Sequence, residues 1–322
     1  VAVKKRAVPT AATNLIYNGK SQTGVAEAAG YTVTNGAKTD VGDYTATITL
    51  TDKTSTVWED TNNTTDKTKN WSIAKKQVAV TWNAPASFTY NGSNQGPTLT
   101  NTQIDGVNNE KLNLQVTGQK KNVGTNYTAT ASISSVTGGQ ENKNNYELTG
   151  NTKIFAIIAN DISIETNNVT GSLSENSYTY DGTAKTPTEE MKDGDTILTK
   201  GTDYTVEYRD NTNAGTGKVV ITGTGKYTGT ITLEFTINKK KITVPTVADK
   251  TYNTQEQSIS AGSGYTLTGT TKATNVSTNT ATAKLSDTDN TEWSDSTSTD
   301  KTVTWKIVAY NLSNATIATV GN

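Results

Sequence analysis

The residues that could do chemistry in this chain are mainly carboxylates, because it contains neither histidine nor cysteine. That double absence excludes thiol nucleophiles, the Ser-His-Asp triad and every histidine or thiolate metal site. Acidic residues are densest at Glu189-Glu190, Asp193-Gly194-Asp195 and Asp203. Paired carboxylates can hydrolyse glycosides, but these residues fall in a predicted loop with no aromatic platform nearby in sequence. We therefore expect no enzymatic activity and no catalytic residues.

A second acidic stretch offers the hard oxygen ligands that calcium prefers. Its members are Asp287, Asp289, Asn290, Glu292 and Asp295. The stretch lacks the central glycine and the ligand spacing of an EF-hand loop. We interpret it as a solvated acidic loop, with Asp287, Asp289, Glu292 and Asp295 as a weak candidate metal site. No cofactor is expected.

The tryptophans suggest two different roles. Trp58 and Trp293 lie at matching places in two similar stretches of chain. Exposed indoles can stack on sugar rings, so these two are candidate glycan contacts; the alternative is that each covers the end of its own small core. Trp71 and Trp305 precede Ile73 and Ile307 by two residues in alternating runs, so we expect them to be core residues.

A tyrosine followed by a turn pair occurs four times and opens a block of similar layout each time. The copies are Tyr17-Asn18-Gly19, Tyr90-Asn91-Gly92, Tyr180-Asp181-Gly182 and a divergent one, Tyr252-Asn253-Thr254. Asn-Gly and Asp-Gly tolerate positive φ and turn the chain tightly. A unit that recurs at this spacing is an internal repeat. We expect each of the four tyrosines to cap a separate small core.

A second landmark precedes the long alternating strand of each block. Its copies are Asp40-Val41-Gly42, Asn122-Val123-Gly124, Asn213-Ala214-Gly215 and Asn275-Val276-Ser277. Glycine at this place predicts a backbone position with positive φ. In the first block, Asp40, Gly42 and Tyr44 also resemble the tyrosine corner of immunoglobulin domains, with Ala46 where that fold has its cysteine.

These landmarks predict four small β modules at residues 1–75, 76–159, 160–239 and 240–309, followed by the start of a truncated fifth at 310–322. Threonine, valine, isoleucine and tyrosine alternate in strand-like runs, which indicates a mainly β fold. Only a few residues separate each closing strand from the next opening strand, so the linkers cannot act as random coils. The sequence therefore predicts an elongated tandem array, and we expect a monomer.

Composition limits the partners. The chain is 32% hydrophobic and 18% charged, with a net charge of −1 and a mean hydropathy of −0.58. A nucleic-acid binder would carry a basic face, and a membrane helix would need a run of about 18 apolar residues. We expect neither nucleic-acid binding nor membrane insertion.

The chain resembles the tandem β-domain repeats of the MBG and YDG type, which occur in large Firmicute cell-surface proteins. The likeness is carried by the tyrosine turns and by runs around Asn122-Val123-Gly124, Tyr127-Thr128-Ala129, Gly223 to Gly229, Trp71-Ser72-Ile73 and Trp305-Lys306-Ile307. The resemblance implies small β-grasp-like or Ig-like modules in a secreted stalk or adhesin. It implies an extracellular, wall-attached location, with the anchor in regions outside this chain, and a host or dietary glycan or a surface protein as partner. The alternative function is an array of carbohydrate-binding modules.

Overall fold

The computed structural model describes residues 2–83 and 85–311. About 51% of the chain is in strands, and the helices of the described part are two short 3-10 turns at Lys143–Asn145 and Glu165–Asn167. None of the described helices has the length and apolar character needed to span a bilayer. The expectation of a mainly β protein is confirmed.

The chain divides into two compact units, Val1–Ala159 (unit 1) and Asn160–Asn322 (unit 2). We refer below to the predicted modules as segments 1 to 4, at residues 1–75, 76–159, 160–239 and 240–309. Their exact limits stay predictions. Of the predicted fifth module, residues 312–322 lie outside the described residues.

The described residues of unit 1 form fifteen strands. Those of segment 1 are β1 (Lys4–Arg6), β2 (Leu15–Ile16), β3 (Gln22–Thr23), β4 (Tyr31–Thr34), β5 (Ala37–Lys38), β6 (Gly42–Leu50), β7 (Thr56–Trp58) and β8 (Lys67–Ala74). Those of segment 2 are β9 (Lys76–Ala79), β10 (Ser87–Thr89), β11 (Gln103–Asp105), β12 (Lys111–Thr117), β13 (Gly124–Thr137), β14 (Tyr146–Thr149) and β15 (Thr152–Ile158).

Unit 2 continues the numbering. Segment 3 has β16 (Asn160–Asp161), β17 (Val169–Leu173), β18 (Ser177–Thr179), β19 (Glu189–Asp193), β20 (Thr196–Ile197), β21 (Tyr204–Arg209), β22 (Gly215–Gly223), β23 (Tyr227–Thr228) and β24 (Thr230–Asn238). Segment 4 has β25 (Lys240–Ile242), β26 (Lys250–Thr251), β27 (Gln257–Ser258), β28 (Tyr265–Gly269), β29 (Lys272–Ala273), β30 (Ser277–Leu285), β31 (Thr291–Trp293) and β32 (Lys301–Val308).

The main sheets of the four segments share one strand order. The orders are β2-β8-β6-β4, β10-β15-β13-β12-β11, β18-β24-β22-β21 and β26-β32-β30-β28. In each, the first pair is parallel and the following pairs are antiparallel. The opening strand of each segment lies outside this sheet and pairs in parallel with a short later strand: β1 with β7, β9 with β14, β16 with β23 and β25 with β31.

The alternation in the long strands places the core. Along β6 the side chains of Ala46, Ile48 and Leu50 are buried while their neighbours are more exposed, as expected for a strand with one buried face. Trp71 on β8 and Trp305 on β32 are buried on the same side as Ile73 and Ile307, which confirms that they are core residues.

Candidate functional site

The four tyrosine turns have the same geometry, including the divergent copy. In each, the side-chain oxygen of Asn18, Asn91, Asp181 or Asn253 accepts a hydrogen bond of 2.9 to 3.0 Å from the backbone N–H two residues on. Gly19, Gly92 and Gly182 have positive φ, as predicted, and Thr254 adopts the same left-handed conformation at φ 68°. Positive φ is unusual for a β-branched residue, so the turn of segment 4 is formed despite its sequence.

The expectation that the four tyrosines cap separate cores is wrong for Tyr17. Its ring is buried in a hydrophobic cluster that includes residues of segment 2, among them Leu112 and Tyr146. The rings of Tyr17 and Tyr146 meet edge to face, with centroids 5.4 Å apart. Tyr90 is also buried, whereas Tyr180 and Tyr252 are half-buried. The four tyrosines therefore differ in their surroundings although their turns are alike.

The expectation of positive φ at the landmark glycines holds for Gly215 but is wrong for Gly42 and Gly124. Among the landmark glycines of the described chain only Gly215 has positive φ. At Gly42 a Cβ would come within 3.1 Å of the Tyr44 ring, and at Gly124 it would come within 2.3 Å of the Tyr127 hydroxyl. Glycine is therefore needed to leave room for a tyrosine ring. The Tyr44 hydroxyl donates a hydrogen bond of 2.7 Å to the Asp40 carbonyl, which is the bond of a tyrosine corner.

A buried carboxylate lies where segments 1 and 2 meet. Glu110 is 1% exposed. One of its oxygens accepts hydrogen bonds from the Tyr17 hydroxyl at 2.7 Å and from the Gln140 N–H at 2.8 Å. Its other oxygen accepts one from the Tyr146 hydroxyl. These donors are uncharged, so the carboxylate is stabilised by hydrogen bonds rather than by a counter-ion.

The surroundings of Glu110 are shaped to fit it closely. A Cβ at Gly139, which has positive φ, would come within 2.5 Å of the carboxylate. Burial, with the hydrogen bond to Glu110 as a second cause, raises the pKa of Tyr146 to about 12. The same two causes raise the pKa of Tyr17. Sequence reasoning missed this cluster because Tyr17 and Glu110 are 93 residues apart.

One asparagine contact recurs in both units. In unit 1 the Asn145 side chain accepts a hydrogen bond of 2.9 Å from the Val41 N–H and donates one of 2.7 Å to the Asp40 carboxylate. In unit 2 the Asn290 side chain accepts one of 2.8 Å from the Ala214 N–H. Both amides belong to the middle residue of the landmark that precedes the long strand. Both asparagines are buried, and the sequence pattern predicted neither of these two contacts.

The acidic run beginning at Glu189 is strand β19 rather than the predicted loop. Along it Glu189 and Met191 are buried and Glu190 is exposed, because successive side chains of a strand point to opposite faces. The next carboxylate on the Glu189 face is Asp193, about 13 Å away along an extended strand. Glycosidase carboxylates lie about 5 to 9.5 Å apart. This strand therefore does not provide a carboxylate pair for glycoside hydrolysis.

Glu189 lies at the floor of an open groove of about 490 Å³. Its carboxylate is 3.1 Å from the Lys200 ammonium and accepts a long hydrogen bond of 3.4 Å from the Tyr204 hydroxyl. Burial, with the charge of Glu189 as a second cause, raises the pKa of Tyr204. The ion pair and the tyrosine occupy the carboxylate, and Leu173 and Ile197 line the groove beside it. Ser172, Ser174 and Thr188 also line the groove, so it could hold a small polar group.

Neither candidate glycan contact is available to a sugar. Trp58 and Trp293 are each 0% exposed. Their indole N–H groups donate hydrogen bonds of 2.8 Å to the carbonyls of Thr65 and Thr299 within their own segments. Both rings belong to hydrophobic clusters, so they present no stacking face. The interpretation of Trp58 and Trp293 as glycan contacts is therefore wrong, because both side chains are fully buried.

The weak metal candidate is not assembled either. Asp287 accepts hydrogen bonds from Asp289 and Asn290 within its own turn. Glu292 pairs with Lys241, and Asp295 pairs with Lys301 and accepts from Thr297. Across the described residues no group of three or more acidic side chains is placed to hold a metal ion. The Lys301 ammonium and the Thr297 hydroxyl and amide hold the pKa of Asp295 down at about 2. The Asp295 carboxylate is therefore already paired with groups of its own segment.

No known family model matches the chain, and no curated protein is significantly similar to it.

Proposed function

We propose that this chain is a non-enzymatic structural and interaction region of a secreted bacterial cell-surface protein. In this proposal its four β modules form an extended, monomeric stalk that carries other regions of the protein away from the wall. The modules are β-grasp-like or Ig-like, of the MBG and YDG type. The partner at the surface would be a host or dietary glycan or another surface protein.

The observation that supports the proposal is repetition with almost no linker. Four main sheets of the same strand order follow one another along the chain. One residue separates the last strand of a segment from the first strand of the next, at Lys75, Ala159 and Lys239. So short a connection restricts the orientation of consecutive modules, which suits a spacer. The carboxylates of Glu110, Glu189, Asp287 and Asp295 support the same proposal, because each accepts hydrogen bonds or forms an ion pair within the chain.

Small-angle scattering with multi-angle light scattering tests the proposed shape. A compact globule of this length would have a radius of gyration of about 20 Å. We expect a monomer with a clearly larger value; a value near 20 Å would contradict the stalk. A glycan array tests the alternative of a carbohydrate-binding array, for which Trp58 and Trp293 offer no exposed face. Saturable binding on that array would favour the alternative.

A further inference from the structure

Segments 2 and 4 attach to their preceding segments through the same contact. An asparagine side chain accepts the backbone N–H of the middle landmark residue: Asn145 from Val41, and Asn290 from Ala214. Each asparagine directly precedes the short strand that pairs with the opening strand of its own segment, β14 or β31. The contact therefore depends on the common topology of the segments and not on one local sequence.

Segment 4 has the matching surface, and the described residues leave it open. Its landmark is Asn275-Val276-Ser277, of which Ser277 begins β30. Val276 is 56% exposed, whereas Val41 and Ala214 are half-buried. Among the described residues, none accepts a hydrogen bond from the Val276 N–H. An exposed valine beside an open amide is the arrangement that Val41 would have without segment 2.

We propose that the end of segment 4 formed by Tyr252, Thr254 and residues 275–277 is a docking surface for a further β module of the same kind. That module would offer an asparagine side chain to the Val276 N–H. The inference rests on the proposed stalk function and names the partner of one of its surfaces.

Segments 2 and 4 approach the tyrosine turn of the preceding segment differently: segment 2 lies against the turn, whereas segment 4 leaves space around it. The residue at the third position of the turn determines which of these two arrangements a partner module can adopt. In unit 1 Gly19 lies directly under segment 2, and a Cβ there would come within 2.5 Å of Asn108. In unit 2 the corresponding Gly182 has open space, its nearest neighbour being the Tyr180 hydroxyl at 4.0 Å. Segment 4 has Thr254 at this place and so excludes the closer mode. The landmark agrees, because it begins with asparagine in segments 3 and 4 and with aspartate in segment 1.

The partner should therefore resemble segment 4, with an Asn-Thr pair like Asn290-Thr291, rather than segment 2. In the unit 2 mode the asparagine amide group donates to an aspartate of its own segment, Asp287, at 2.9 Å. Its carbonyl oxygen is thereby oriented toward the incoming N–H. The partner module therefore orients its asparagine with its own aspartate. It requires only an exposed backbone N–H from the surface to which it binds.

The test adds a second copy of residues 240–309 in place of residues 310–322. The added Lys240 then stands three residues after Ile307, as the native Lys240 stands three residues after Ile237. Amide hydrogen exchange at Val276 is measured in the native and the extended chain. We expect exchange at least tenfold slower in the extended chain. Asn290→Ala in the added copy alone should restore the fast rate, and Asn290→Ala in the native segment should release the Ala214 amide as a calibration.

Two outcomes would overturn the proposal. One is unchanged Val276 exchange while the strands of the added copy are protected. The other is an added copy that stays unfolded, since a fitting surface would stabilise it. The stalk proposal fails separately, through a compact radius of gyration, which would leave the Val276 result unaffected.

Discussion

One hydrophobic cluster spans segments 1 and 2, whereas another cluster lies wholly within segment 4. The first cluster joins Tyr17 and Trp58 of segment 1 to Leu112 and Tyr146 of segment 2. The cluster in segment 4 draws all its residues from that segment, from Ile242 to Ile307. The difference lies in the side chains, because strand order and turn geometry are the same in both places.

One position illustrates how the difference arises. Tyr146 begins β14 and pairs with Lys76 of the opening strand; Thr291 begins β31 and pairs with Lys240 in the same register. The tyrosine reaches Glu110 and the Tyr17 ring, which the shorter threonine side chain at the equivalent place could not do. The asparagine contact thus occurs both between segments 1 and 2 and between segments 3 and 4. The buried cluster around Glu110 couples segments 1 and 2 only. Coupling between repeats can therefore be tuned at a few positions without altering the repeat itself.

Removing the shared carboxylate should have the largest effect. Glu110→Ala leaves two buried tyrosine hydroxyls and the Gln140 N–H without their acceptor. A buried donor left without its acceptor typically costs about 1–3 kcal/mol, so loss of the acceptor of the two buried hydroxyls should cost about 2–6 kcal/mol. We expect hydrogen exchange to show lost protection across both segments of unit 1, with unit 2 unchanged.

The control for this variant is Glu147→Ala, which removes an exposed carboxylate from β14 of the same segment. It should change the unfolding free energy by no more than about 0.5 kcal/mol. Equal stability of the two variants would mean that Glu110 does not couple the segments. Protection lost in segment 2 alone would mean that the cores are separate after all.

A matched pair of tyrosine substitutions sharpens the comparison. Tyr17→Phe keeps the buried ring but removes its hydrogen bond to the Glu110 carboxylate, and bonds to charged groups contribute about 1.5–3 kcal/mol. Tyr180 occupies the same turn position in segment 3 but is half-buried, so Tyr180→Phe should cost about 0.5 kcal/mol or less. Urea unfolding of the two variants measures both values. Similar costs would show that the four tyrosines have equivalent roles, as the sequence alone predicts.

Local signals were readable from the sequence and distant pairings were not. The turns at Gly19 and Gly182 and the core position of Trp71 follow from residue type and spacing within a few residues. The contact between Val41 and Asn145 spans 104 residues, and no local periodicity records it. The sequence identifies the landmark at Gly42 but not the reason for its glycine. A glycine that leaves room for a ring cannot be distinguished in sequence from a glycine with positive φ.

The stability of unit 1 should depend on pH in the alkaline range, because its buried tyrosine hydroxyls ionise there. Burial and Glu110 raise the pKa of Tyr146 to about 12, while tyrosine in an unfolded chain ionises near pH 10. Because this pKa is raised on folding, the contribution of Tyr146 to the free energy of unfolding is complete below about pH 10 and is lost progressively as the pH rises toward 12. Tyr146→Phe removes this titrating group, so unfolding midpoints should fall less between pH 9 and about 11.5 than in the native chain. An equal fall in both proteins would exclude Tyr146 as a source of the alkaline instability.

The smallest expected effect is a gain in stability at the divergent turn of segment 4. Thr254 holds φ at 68°, and a left-handed conformation costs a residue with a Cβ about 1–2 kcal/mol. Thr254→Gly relieves that cost but makes the unfolded chain more flexible, which offsets part of the gain. We expect segment 4 to be stabilised by about 1 kcal/mol, measured as a shift of its unfolding midpoint. Gly182→Thr is the matched reverse, because an added Cβ there meets only the Tyr180 hydroxyl at 4.0 Å, and it should destabilise segment 3 by a similar amount. If Thr254→Gly instead destabilises segment 4 while Gly182→Thr behaves as expected, the threonine side chain makes a stabilising contact of its own, and the divergence of the fourth turn is an adaptation rather than a cost.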